Sequence, residues 1–353
     1  MALIDTEGFG MSSAMADFFG AGAWSQVGSA VLPIKTGGPF GDNFVGPQVA
    51  GIRRAVPSSP SSFILGFRCA PMNNYPNYIY FRDGSGLLQC WFGTSVTGQI
   101  SIMNASGGVV IAGPTAPGTV PGSANAFLLP LTILSWCYIE IALTISSTVG
   151  AVAVRVNGNT VLTATNINTN SGSASALTGC IDFGDSSGTY GSFNGLAHMY
   201  LCDTTGAAPW NSFLGDVRVQ TLLPTADDAV AFAPTGLADN YLNAALVPPV
   251  PGTDYNASST VSAQDTFAMG AVSTARNSVL GVTVKALLGK SDAGARSGAT
   301  VIKSGGTTVA GTSTALSTTP QQLRKVHQID PGTGIAWTAA GFNGMKAGYK
   351  VTA

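Results

Sequence analysis

Charge is scarce in this sequence: 353 residues carry 16 Lys and Arg and 17 Asp and Glu, for a formal net charge of −1. The basic residues are scattered, with Arg53-Arg54 and Arg324-Lys325 as the only adjacent pairs. A nucleic-acid-binding chain needs clustered cations to neutralise phosphates, so that class is excluded. Disorder is excluded too, because 45% of the residues are apolar and the charges nearly cancel. There are only two glutamates, Glu7 and Glu140, and two histidines, His198 and His327. Neither histidine is near a Gly-x-Ser-x-Gly elbow, so no nucleophilic triad is encoded, and each reads as a cross-strand packing residue. Phosphate loops and a dinucleotide fingerprint are missing, and no cofactor is implied. The five cysteines, Cys69, Cys90, Cys137, Cys180 and Cys202, show no Cys-x-x-Cys spacing and read as buried, reduced thiols. The longest apolar run, Ala126 to Ile145, contains Pro130, Ser135 and Glu140, which argues for strands and against a membrane span. Met1 to Asp5 has no basic region ahead of an apolar one, so synthesis in a cytoplasm is expected.

What the chain has in abundance is glycine, with 45 residues, and proline, with 19, punctuating short β-branched and aromatic runs. This pattern predicts an all-β protein of antiparallel sheets. Asp83-Gly84-Ser85-Gly86 and Asn104 to Gly108 predict two hairpins, and Trp136 to Thr165 predicts three strands turned at Val149-Gly150 and Asn157-Gly158. Val152, Val154 and Val156 share one strand face, which is the buried one. Further strands are expected at Ser61–Cys69, Phe193–Asp203 and Asp216–Leu223. The domain plan is an N-terminal arm with first strands over 1–60, a β-sandwich over 61–223, a proline-marked linker over 224–255 and a smaller β-sandwich over 256–353. Short helices are expected around Ser12 to Phe19 and Thr338 to Lys346.

Some motifs go further. Trp136-Cys-Tyr-Ile-Glu-Ile141 followed by Val154-Arg-Val-Asn-Gly158 resembles the middle of a concanavalin A-like or laminin G-like sandwich. Met199 to Gly206, Asn211 to Pro224, Ser291 to Arg296, Ser304-Gly-Gly306 and Asp330 to Thr338 resemble segments of tailed-bacteriophage virion proteins. The resemblance covers about residues 130 to 353 and implies two antiparallel, jelly-roll-like β-sandwiches, the first concanavalin A-like. It implies a non-enzymatic structural protein on the virion surface, made in the host cytoplasm, with other virion proteins as partners. Two placements stay open: a tail-fibre or spike adhesion module binding host glycan, or a head decoration protein stabilising the shell. Low charge and free sheet edges make a homo-oligomer the expected state.

Fold alone decides no activity, so the residues must. A retaining glycosidase needs paired carboxylates, and neither Glu7 nor Glu140 has a second glutamate near it, which makes a glycan-degrading enzyme the weakest reading. Asp182, Asp185 and Asp203 could bind calcium, whose many oxygen ligands suit an acidic loop; the commoner role for such aspartates is to accept backbone hydrogen bonds in turns. The candidates for stacking a sugar are Tyr75, Tyr78, Tyr80, Trp91 and Trp210. Tyr78, Tyr80 and Arg82 alternate on one face against Ile79 and Phe81; the alternative is a strand buried on both faces. Trp136 and Trp337 are assigned to the two cores.

Overall fold

In a computed structural model of the chain, the described residues are 3–9, 24–27, 34–47, 51–71, 79–94, 99–115, 136–184, 193–272 and 278–353. They separate into two compact units, divided between Val219 and Gln220. The helix expected over Ser12 to Phe19 lies outside the described residues. No helix among them is long and apolar enough to cross a membrane.

In chain order, the strands of the first unit are β1 (Leu3–Glu7), β2 (Trp24–Val27), β3 (Ile34–Lys35), β4 (Phe44–Val45), β5 (Gly51–Ala55), β6 (Ser62–Pro71), β7 (Ile79–Arg82) and β8 (Leu88–Thr94). They continue as β9 (Gln99–Asn104), β10 (Val109–Thr115), β11 (Cys137–Thr144), β12 (Gly150–Val156), β13 (Asn159–Ile167), β14 (Cys180–Phe183) and β15 (Phe193–Cys202). They form an eight-stranded sheet, ordered β13-β12-β11-β6-β15-β4-β3 with β1 also on β15, and a seven-stranded sheet, ordered β10-β9-β8-β7-β14-β5-β2. All pairings are antiparallel. The two sheets face each other through aromatic contacts: Phe63 meets Phe81 at 5.5 Å and Phe67 meets Phe183 at 5.5 Å between ring centroids. The expected hairpins are present, and Asn157 and Gly158 take φ of +48° and +82°, the turn that matches strand twist. Val152, Val154 and Val156 are buried as the period of two requires.

Residues 1–60, expected as an arm with first strands, supply strands that are integral to both sheets: Leu3, Trp24, Val45 and Ile52 of β1, β2, β4 and β5 bury their side chains in the core. Two expectations need correction. Asp216–Leu223 forms no strand. Residues 213–219 run instead as a strap over the outer face of the eight-stranded sheet, their polar groups taken up by its side chains. The Leu214 amide donates to Tyr200 Oη at 3.1 Å, the Gly215 amide to Glu140 Oε1 at 2.8 Å, Arg68 pairs with Asp216, and the Val219 amide donates to His198 Nδ1 at 3.2 Å. The cover explains why Tyr138, Glu140, His198 and Tyr200 are buried although they belong to the sheet's outer side. His198 reaches its place through a register shift between β6 and β15 and a φ of +49°, as bulges re-aim side chains.

The second correction concerns 224–255. That passage carries β16 (Pro224–Ala229), β17 (Ala233–Thr235) and helix α1 (Asn240–Ala244), followed by β18 (Tyr255–Ala257). Proline is accommodated because β16 is an edge strand, where a missing N–H costs nothing to the ladder. The remaining elements of the second unit are β19 (Gln264–Met269), β20 (Val282–Leu288), β21 (Ser297–Ser304), β22 (Thr307–Ala310), β23 (Thr314–Ala315), β24 (Gln321–His327), α2 (Ala339–Gly344) and β25 (Lys346–Val351). A six-stranded sheet, β16-β19-β25-β21-β22 with β23 on β21, is joined by the ribbons β17-β18 and β20-β24. Val282 and Val284 from one ribbon pack with Ile302, Trp337, Phe342 and Met345 to form its core. Thr338 caps α2 by accepting the Gly341 amide at 3.0 Å.

Gly66 lies under the Tyr200 ring; a Cβ there would sit 2.0 Å from Tyr200 Cε1. Gly66→Ala is therefore expected to lower first-unit stability by about 1–3 kcal/mol, read as a drop of several degrees in its thermal midpoint. Burial lowers the pKa of His198 from 6.5 to about 4, with Asp42 opposing and Arg68 and Arg218 assisting. Burial and Lys325 lower His327 likewise to about 4. Each stays neutral when folded and takes up a proton when unfolded below pH 6.5, so stability is lost as pH falls from 6.5 towards 4. Calorimetry over that range should show a loss of up to about 3 kcal/mol per histidine, flattened in one unit by His198→Gln and in the other by His327→Gln.

Candidate functional site

The outer face of the seven-stranded sheet carries one rung of polar and aromatic side chains. On β5, β14, β7 and β8 the residues Ile52, Phe183, Ile79 and Phe92 point into the core and are fully buried. Alternation then turns their neighbours outward. Register aligns these neighbours: Arg53 opposite Asp182, Asp182 opposite Tyr80, and Tyr80 opposite Trp91.

Asp182 anchors the rung. Its side chain has 0% exposure, and it accepts a bidentate pair of bonds from Arg53, Nε to Oδ1 at 2.7 Å and Nη2 to Oδ2 at 2.9 Å. Arg82 Nε donates to Oδ2 at 2.7 Å from the other side. The Asp182 hydrogen bond raises the pKa of Arg53 further, so its charge is permanent. Arg82 Nη1 is also fixed, on the Gly86 carbonyl at 3.0 Å, within the turn that joins β7 to β8. The side chains of Arg53 and Arg82 are 34% and 12% exposed. Arg53 is the more exposed of the two, so its guanidinium reaches the surface beside the fork.

Beside this fork the Tyr80 and Trp91 rings lie 5.9 Å apart at 36°, and the Arg82 guanidinium is 5.7 Å from the Tyr80 centroid. Both rings are half-buried. Trp91 Nε1 donates to the Asn104 carbonyl at 2.9 Å, which fixes the indole plane. The result is a pre-set apolar platform flanked by charged N–H donors. Such a surface recognises a ligand with one apolar face and peripheral oxygens.

Tyr80 and Trp91 are thus brought together. Tyr75, Tyr78 and Asp185 lie outside the described residues. Trp210 is elsewhere, half-buried in a turn after β15, where its amide donates to the Ala207 carbonyl at 3.1 Å. The proposed calcium ligands are separated: Asp182 belongs to the seven-stranded sheet and Asp203 follows β15 of the other, capping a turn by accepting from the Thr205 amide and hydroxyl at 3.0 and 2.8 Å. Asp182 spends both oxygens on arginines, which suits an ion pair better than calcium. No group of three His, Cys, Asp or Glu able to hold a metal occurs among the described residues. The sequence reading missed Arg53 and its link to Asp182; the signal was the Arg53-Arg54 pair, one of which a strand must turn outward.

Both glutamates are engaged in structure. Glu140 accepts from Tyr200 Oη at 2.5 Å and from the Gly215 amide at 2.8 Å. Glu7 accepts from the Gly8 and Phe9 amides at 3.1 and 3.0 Å and from Trp24 Nε1 at 3.3 Å. Both are buried at about the exposure of core residues.

No protein family model matches the chain, and no curated protein does. Among solved structures it is similar to domain 4 of a family GH43 extracellular arabinanase from Geobacillus stearothermophilus, in complex with arabinotriose, with 13% identity over 57% of this chain and 92% of that one, at a TM-score of 0.37. It is also similar to a galectin-like protein of unknown function from Bacillus subtilis, with 10% identity, 57% and 89% coverage and a TM-score of 0.29. The binding domain of botulinum neurotoxin DC, in complex with SialylT, gives 10% identity and a TM-score of 0.29, over 51% of this chain and 42% of that one.

Removing the anchor is the direct test of the rung. Asp182→Ala leaves two guanidinium groups unpaired and is expected to cost about 3 kcal/mol or more in a denaturant titration. Arg53→Ala, at the more exposed partner, should cost about 1 kcal/mol.

Proposed function

We propose that this chain is a non-enzymatic surface protein of a tailed-bacteriophage virion, and that its first unit binds carbohydrate on the outer face of the seven-stranded sheet. The observation that carries the binding reading is the rung Arg53, Asp182, Tyr80, Trp91. A pyranose ring has an apolar face of C–H groups and a rim of hydroxyls, which matches a fixed aromatic platform with N–H donors at its edge. The virion reading is supported by the ordered motifs between Met199 and Thr338. The non-enzymatic reading is supported by the burial of both glutamates in structural hydrogen bonds.

In this reading the protein is made in the host cytoplasm and displayed on the particle as a homo-oligomer held to other virion proteins, with a tail-fibre or spike placement and host glycan as ligand. No cofactor takes part. Trp91→Ala and Tyr80→Ala are each expected to weaken binding in a glycan array and in host-cell adsorption by roughly tenfold, about 1.4 kcal/mol. Their thermal midpoints should stay close to that of the unaltered chain. Unchanged binding by both variants would overturn the site. Fab fragments against the chain, imaged on purified particles, should label the tail; label over the head would replace adhesion by shell decoration.

A further inference from the structure

Two of the five cysteines meet. Cys69 on β6 and Cys137 on β11 are directly opposed in the antiparallel ladder, both with 0% exposure, and their sulfurs are 3.4 Å apart. Opposed residues of an antiparallel pair have Cα atoms roughly 4.5–5.5 Å apart, inside the range a disulfide spans. Closing the bond therefore asks for side-chain rotation and no movement of strands. Cys90, Cys180 and Cys202 are buried too, but none has a sulfur neighbour among the described residues.

We propose that Cys69 and Cys137 form a latent cross-strand disulfide site that closes when the folded protein meets an oxidising low-molecular-weight disulfide. The step balances as thiol–disulfide exchange. One cysteine, as thiolate, attacks the small disulfide RSSR and releases one RSH after protonation. The second cysteine then displaces the remaining RS group, forming the protein S–S bond and releasing a second RSH. Burial and the Cys137 sulfur push the Cys69 thiol well above its ordinary pKa, so the resting pair is unreactive. Access comes from position: the Cys69–Cys137 pair is the last rung of the β6–β11 ladder, where strands open most easily. A chain reduced during synthesis would thus be stapled slowly after exposure to oxidant, between the two strands that carry the strap-bound Arg68 and Glu140.

The test uses the full chain, incubated natively with oxidised glutathione and separately with diamide, then denatured, alkylated and analysed by intact mass and peptide mapping. The expected result is loss of two hydrogen atoms, a single cross-link joining Cys69 to Cys137, and a rise of several degrees in the first-unit thermal midpoint. Mild urea should speed closure by favouring the open rung. Recovery of both cysteines in alkylated form, or a cross-link involving Cys90, Cys180 or Cys202, would overturn the proposal. Cys69→Ser and Cys137→Ser should each abolish the cross-link. If either variant folds poorly, mapping of the unaltered chain still decides the question.

Discussion

The first unit is organised around a charge buried between its sheets. Arg54, on β5 of the seven-stranded sheet, pairs with Asp5, on β1 of the eight-stranded sheet, and neither side chain is exposed. The Trp24 ring lies 5.2 Å from the guanidinium, and Glu7 in turn holds the Trp24 indole. A charge in that place is tolerated only while its partner is present, and loss of one member of such a pair costs about 3–5 kcal/mol. The consequence is register. A slip of one residue in β5 would put Arg53 inside and Arg54 outside, stranding Asp5 in the core and Asp182 on the face. One Arg-Arg dipeptide therefore sets both the interior and the outward-facing rung, the inner residue held by Asp5 and the outer by Asp182.

The two outer faces of the sandwich are treated differently. On the eight-stranded sheet, Tyr138, Glu140, His198 and Tyr200 would present a dense polar surface, and the strap of residues 213–219 covers them with backbone amides and the Asp216 carboxylate. Gly66 belongs to the same device: lacking a side chain, it lets the Tyr200 ring lie flat on the sheet and reach both Glu140 and the strap. On the seven-stranded sheet the polar groups satisfy one another within the rung, leaving Arg53 partly exposed beside two half-buried rings.

Strands and hairpins were legible because their signals are local. Asn157-Gly158 requires positive φ at both residues, and the alternating valines of β12 declare a buried side whatever lies opposite. The strap was misread for the same reason: Asp216 to Leu223 has strand-like composition, but Leu214 to Val219 bond to side chains of residues distant in sequence, which no local pattern records. The passage 224–255 was misjudged because proline density excludes a central strand and says nothing against an edge. Tyr80 and Trp91 could be found by alternation within one hairpin. Arg53 could not be tied to Asp182, because that contact joins residues 129 apart through a ladder whose register depends on the buried pair.

The scarcity of charge gives the functional argument its force. In a chain so poor in carboxylates, the placement of each one can be followed, and six of those described in the first unit have a visible task. Asp5 and Asp182 neutralise arginines, Asp83 fastens the β7–β8 turn, Glu7 and Glu140 tie backbone and side-chain donors, and Asp203 caps a turn. Acid–base hydrolysis needs a carboxylate that can exchange protons at the bond being broken, so it must be free of such fixed partners or facing substrate. What the outer face offers instead is immobile: an indole pinned by a carbonyl, a guanidinium pinned by a turn, and a carboxylate pinned by two arginines. Rigidity of that kind lowers the entropy lost on binding, which is what the proposed recognition role asks of this surface.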